Sequence, residues 1–69
     1  SELERTIQKR RAEKIRTSIG EAQVKICTLP NGKERCYPEY DSASALAGKA
    51  GISFREAYDT IVNCWKTER

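Results

Sequence analysis

The sequence predicts a small α+β fold: an antiparallel meander packed by helices, in the order α-β-β-β-α-α. Three observations carry this. Ala22-Gln23-Val24-Lys25-Ile26-Cys27-Thr28 alternates apolar and polar residues, the period of a half-buried strand. Pro30-Asn31-Gly32 follows as a turn, with Asn-Gly the pair that tolerates positive φ. Beyond it, apolar residues recur at helical spacing in two blocks separated by Gly51.

Each element can be justified in chain order. Ser1-Glu2-Leu3-Glu4 has the S-x-x-E form of a capping box, which predicts a helix from the start to about Lys14. Its apolar content is thin (Leu3, Ile7 and Ala12), so it must lean on a partner surface. Ile15 to Ile19 alternates, with Ile15, Thr17 and Ile19 on one face, and Gly20-Glu21 breaks the run. In the second strand Ala22, Val24 and Ile26 point inward, and Gln23, Lys25 and Cys27 outward. Lys33 to Tyr37 is a short third strand that Pro38 stops by removing a donor. Asp41 is a good N-cap, and Ala43, Leu46, Ala47 and Ala50 then form a helical stripe ended by Gly51. Ser53 and Glu56 form a second capping box. Phe54, Ala57, Tyr58, Ile61, Val62 and Trp65 make the strongest amphipathic stripe of the chain, so the last helix is expected to pack over the meander.

Length bounds the answer. The 69 residues allow one domain, spanning 1–69. A core of this size contributes roughly 3–5 kcal/mol without disulfide, metal or association. The chain begins without Met, in mid-pattern, so it is expected to be a domain fragment of a larger protein and to self-associate. It has no histidine and three widely spaced cysteines, Cys27, Cys36 and Cys64. That excludes a zinc pattern and the usual catalytic triad. The plain reading of the cysteines is three reduced thiols in a cytoplasmic protein; a Cys27–Cys36 bridge across a hairpin is the alternative. These residues contain no signal-peptide pattern and no apolar run of membrane length.

The net charge of +3 is uneven. Residues 1–16 carry Arg5, Lys9, Arg10, Arg11, Lys14 and Arg16 against Glu2, Glu4 and Glu13, while the charges of the remainder cancel. Such a segment is either a solvated helix face or a phosphate or nucleic-acid contact. Ala47, Gly51 and the helix after Ser53 resemble a helix-turn-helix. However, Glu56 and Asp59 would turn the wrong sign toward phosphates, which makes nucleic acid an unlikely partner. Lys25, in mid-strand, is either a solvent-facing lysine or a phosphate contact held on a rigid element. The stretch Tyr37-Pro38-Glu39-Tyr40-Asp41 reads first as a strand-to-helix joint. That reading leaves Glu39 without a structural task, and two carboxylates so placed are able to hold a divalent ion with a triphosphate.

The same residues carry a family resemblance. Arg10-Arg11, Thr17-x-x-Gly20, Val24-Lys25, Pro38-Glu39-Tyr40-Asp41, Leu46-Ala47 and Gly51-Ile52-Ser53, in this order and spacing, resemble the C-terminal end of the LarC family of nickel-insertion proteins. The match runs from about Arg5 to Trp65. The resemblance implies a CTP-dependent nickel chelatase of the lyase class. Such a protein inserts nickel, its substrate metal, into the nickel-free pincer nucleotide precursor of the lactate racemase cofactor. The C-terminal domain would bind CTP with Mg²⁺ or Mn²⁺ and form a homo-oligomer, and the residues that handle nickel would lie in a larger N-terminal region. Carried onto this chain, Arg10 and Arg11 would meet phosphates, Lys25 the triphosphate and Glu39 or Asp41 the metal, and Tyr40 would flank the base or pack. The chain departs from the family after Tyr40, where Asp41 is followed by Ser42-Ala43 instead of further acidic residues and a cysteine, so no thiol is expected at this site. The isolated chain is expected to be inactive. Two other functions stay open: an oligomerisation module without a ligand of its own, and a small nucleic-acid-binding module using the basic first helix.

Overall fold

The computed structural model describes residues 9–67. They run β1 (Lys9–Thr17), β2 (Gly20–Thr28), β3 (Glu34–Pro38), α1 (Tyr40–Ala50) and α2 (Phe54–Thr67). The α+β meander with helices behind it is present, in the order β-β-β-α-α. The expected first helix is corrected where it can be compared: Lys9 to Lys14 are strand, and its beginning at residues 1–8 lies outside the described residues. β1 pairs with β2 from Lys9 opposite Thr28 to Thr17 opposite Gly20. That ladder satisfies the backbone of a segment too polar to earn its order by burial. The period of two was hidden because both faces are polar here: Arg10, Ala12 and Lys14 point one way, Arg11 and Glu13 the other.

The sheet order is β1-β2-β3, with both pairs antiparallel. The first hairpin closes through Ser18-Ile19. Thr17 Oγ1 donates to the Gly20 carbonyl at 2.6 Å and accepts the Ile19 amide at 3.1 Å. Gly20 has φ +130°, and a Cβ there would lie 2.6 Å from Leu46 Cδ2. The T-x-x-G pattern is therefore a turn and a close helix approach at once. Gly20→Ala is expected to cost on the order of 2 kcal/mol or more through backbone strain and the forced shift of Leu46, measurable by denaturant unfolding.

In the second hairpin the Gly32 amide donates to Leu29 at 2.9 Å, and Leu29 donates to Lys33 at 2.7 Å. Asn31 Oδ1 accepts the Lys33 amide at 2.9 Å, and Gly32 takes φ +88°. Pro38 was expected to end the third strand from outside; it is instead the last residue of β3. The Glu39 amide donates to the Gln23 carbonyl, so the odd positions of β3 face β2 and Pro38 turns its missing donor outward on an edge strand.

α1 starts before the expected cap. Glu39 is its N-cap, extended and without a side-chain cap bond, and Asp41 falls in the first turn, where its charge suits the helix dipole. The reason is a local stitch. Glu39 donates its amide to Gln23 O at 2.9 Å, and Ser42 Oγ accepts the Gln23 amide at 3.1 Å, so the chain turns into helix while still tied to β2. Gly51, at φ +71°, ends α1. The capping box of α2 is present, with the Glu56 amide on Ser53 Oγ at 3.1 Å and the Ser53 amide on Glu56 Oε1 at 3.4 Å.

Both helices lie on one face of the sheet. Ile15, Ala22, Val24, Ile26 and Cys36 meet Ala43 and Leu46 of α1 and Ile61 and Trp65 of α2. Among the described residues, no element covers the opposite face.

Candidate functional site

The uncovered face is a small lattice of side chains fixed by strand register. Arg10, Cys27 and Arg35 form one row across the sheet, with Cys27 buried within it, and Ala12, Lys25 and Tyr37 form the next. Lys14 and Gln23 begin a third row, which Glu39 completes through its bond to Gln23. Arg16 and Glu21 close the lattice. Lys25 is at its centre. Arg10, Lys14, Arg35 and Glu39 stand at its four diagonals, about 7–8 Å away at the backbone, the usual diagonal spacing of paired strands. Among the described residues none of these four cations, nor Glu39, has an ion-pair partner. A depression of about 300 Å³ opens toward the Lys14 end of the sheet, lined by Ala12, Glu13, Lys14, Gln23 and Glu39.

A rigid sheet that holds like charges so close favours an anion with several negative groups. One carboxylate at the corner is chemically suited to a divalent ion that arrives with phosphates, because Mg²⁺ is commonly bound through one or two carboxylates plus substrate phosphates. No group of three or more His, Cys, Asp or Glu side chains able to hold a metal ion occurs among the described residues.

The structure brings together three of the residues picked from sequence, Arg10, Lys25 and Glu39. It places the others elsewhere. Arg11 is on the helix-side face, where its guanidinium pairs with Glu13 and with Glu34 Oε2 at 2.8 Å. These two hydrogen bonds push its pKa further above its ordinary value. Tyr40 opens α1 and packs its ring on Phe54, with centroids 5.1 Å apart, and Phe54 in turn meets Tyr58 at 6.0 Å. Asp41 sits exposed in the first turn of α1. Lys14, Arg35 and Tyr37 were missed. For Lys14 the signal available was the even spacing of Arg10, Lys14 and Arg16, which places these cations on one face of a strand.

The cysteines are free, and a Cys27–Cys36 bridge is excluded because the two lie on opposite faces of the sheet, opposite Arg35 and Ile26 respectively. Burial first, and the charge of Glu13 second, push the Cys36 thiol from its ordinary 9.0 up to about 11. The unfolded chain therefore loses this proton first. The stability that the neutral thiol contributes is complete below pH 9.0 and is lost as pH rises to about 11. Cys64 is part-exposed, with its Sγ 3.6 Å from the Arg16 carbonyl. Alkylation near pH 8, followed by peptide mass spectrometry, should label Cys64 first and Cys36 last.

A family model described as nickel insertion protein matches residues 1–58. The chain belongs to the nickel insertion protein family. A solved structure of the family's kind is similar over 90% of this chain, with 32% identity and a TM-score of 0.74. It is described as LarC2, the C-terminal domain of a cyclometallase involved in the synthesis of the NPN cofactor of lactate racemase, in its apo form. The match covers 42% of that chain, so this sequence spans less than half of the relative's length. Comparison with curated protein sequences gives no match. No helix among the described residues is long and apolar enough to cross a membrane.

Proposed function

We propose that this chain is the nucleotide-holding part of a nickel chelatase that completes the pincer nucleotide cofactor of lactate racemase-like enzymes. In this reading it binds CTP with Mg²⁺ or Mn²⁺ on the bare sheet face. The observation that carries it is Lys25, ringed by Arg10, Lys14 and Arg35, with Glu39 at the fourth corner. Lys25 and its neighbours hold the phosphates, and Glu39 holds the accompanying ion on the side of the depression. Asp41, in the first turn of α1, is the second carboxylate within the same joint. Nickel is the substrate metal of the whole protein. With no histidine and with Cys27 and Cys36 on opposite faces, we assign its handling to residues outside this chain.

The basic first helix that suggested nucleic acid is a strand in its second half, and Arg10 and Arg11 point to opposite faces, so they do not act as a pair. A homo-oligomer would have to form through another surface, because two copies of the bare face would repel each other.

The test is thermal melting of the full chain with Mn²⁺ plus CTP, against ATP, GTP, UTP and Mn²⁺ alone. A ligand that binds only the native state raises the midpoint in proportion to the logarithm of its concentration over Kd. The expected result is a rise with Mn²⁺ and CTP that exceeds Mn²⁺ alone. No rise with any nucleotide would refute the reading.

A further inference from the structure

Among the described residues, the bare face holds a single aromatic side chain. Tyr37 stands in the same cross-strand row as Lys25 and Ala12, on the edge strand β3, and is 44% exposed. The other exposed rings are engaged with one another: Tyr40 packs on Phe54, and Phe54 meets Tyr58. Charge is graded across the face. β1 supplies Arg10, Lys14 and Arg16, whereas β3 and its continuation supply Tyr37 between Arg35 and Glu39. A ligand with an anionic end and a flat uncharged end would meet this surface in one orientation.

We infer that a nucleotide lies across the strands, its phosphates over Lys25 toward Arg10 and Lys14 of β1 and its base stacked on Tyr37 at the β3 edge. This rests on the proposed nucleotide site and assigns the base to Tyr37 rather than to Tyr40, whose ring is already stacked. Tyr37 lies directly opposite Lys25, about 5 Å away at the backbone in an antiparallel pair, so a base on its ring keeps the first phosphates within reach of the lysine. Stacking on an exposed aromatic side chain tolerates any base, because every base has a π face. Tyr37 therefore supplies affinity for the nucleoside part and no choice among bases. Its place on an edge strand leaves the far side of the base open to solvent or to a further element.

The test separates the two ends of the ligand. Binding of Mg²⁺ with CTP and of Mg²⁺ with inorganic tripolyphosphate is measured by calorimetry on the full chain, on Tyr37→Ala and Tyr37→Phe, and on Lys14→Ala. Tyr37 is exposed on the bare face, so its replacement leaves the core intact. The expected result is that Tyr37→Ala weakens CTP about tenfold and leaves tripolyphosphate unchanged, while Tyr37→Phe restores CTP binding. Lys14→Ala should weaken both ligands alike. If the unaltered chain binds both ligands and Tyr37→Ala weakens neither or both equally, the stacking role is overturned while the nucleotide site stands. If the unaltered chain binds neither ligand, both the site and the stacking role are overturned.

Discussion

Replacing Ile61 with alanine is expected to leave the chain largely unfolded at room temperature. Ile61 is fully buried, together with Val24 and Ile26, and it projects from α2 into the middle of the layer between helices and sheet. Truncating a buried isoleucine to alanine costs roughly 2–5 kcal/mol, from lost burial and from the cavity left behind. A chain of 69 residues has roughly 3–5 kcal/mol to lose when no disulfide or metal supports it. The two ranges overlap, so one substitution spends most of the stability. Ile61→Val, which removes one methylene group, should cost about 0.5–1.5 kcal/mol and remain folded. Urea unfolding followed by the Trp65 signal measures both, since Trp65 sits in the same cluster. An Ile61→Ala variant as stable as the parent would mean that α2 does not carry the core.

Replacing Lys25 with alanine is expected to do the opposite: little to the fold and most of the damage to ligand binding. Lys25 is exposed, and its backbone is held by the ladder on both sides whatever the side chain. Removing one of several clustered cations should even relax the repulsion among Arg10, Lys14 and Arg35, so the melting midpoint without ligand should stay or rise slightly. With Mn²⁺ and CTP, the ligand-dependent rise should largely vanish. A charge-assisted contact to phosphate is worth about 1.5–3 kcal/mol, which corresponds to more than tenfold in affinity. Lys25→Arg should keep much of the binding, and added salt should weaken the unaltered chain toward the variant, because exposed charges are screened. Equal ligand-dependent rises in parent and Lys25→Ala would remove Lys25 from the site.

How much of this was legible in the sequence follows from where burial leaves a mark. β2 was legible because Ala22, Val24 and Ile26 face the core while Gln23 and Lys25 face solvent. α2 was legible because Ala57, Ile61 and Trp65 form one buried stripe. The start of β1 was not, because on its helix side Arg11 and Glu13 replace apolar residues and are satisfied by each other and by Glu34 of β3. That pairing depends on register, which no local pattern states. The S-x-x-E at the chain start has the form of a capping box, which points to a helix. The start of α1 was misplaced for a related reason: Ser42 spends its hydroxyl on β2 rather than on the helix, so the capping preference of Asp41 does not decide the boundary.

The site divides in the same way. Lys25 and Glu39 stood out singly, one as a charge in mid-strand and the other as a carboxylate without a task. Lys14, Arg35 and Tyr37 became visible only when pairing set them around Lys25. Arg11 parts from Arg10 because a basic dipeptide looks like a pair in a helix but splits across the two faces of a strand.

The most direct test of the account is a map of backbone amide shifts in the full chain as Mg²⁺ and CTP are added. The account predicts changes confined to the bare face, at Arg10 to Lys14, Gln23 to Cys27 and Arg35 to Glu39, with Tyr58 and Ile61 unmoved. Changes centred instead on Tyr40, Phe54 and Tyr58, or none at saturating ligand, would contradict it.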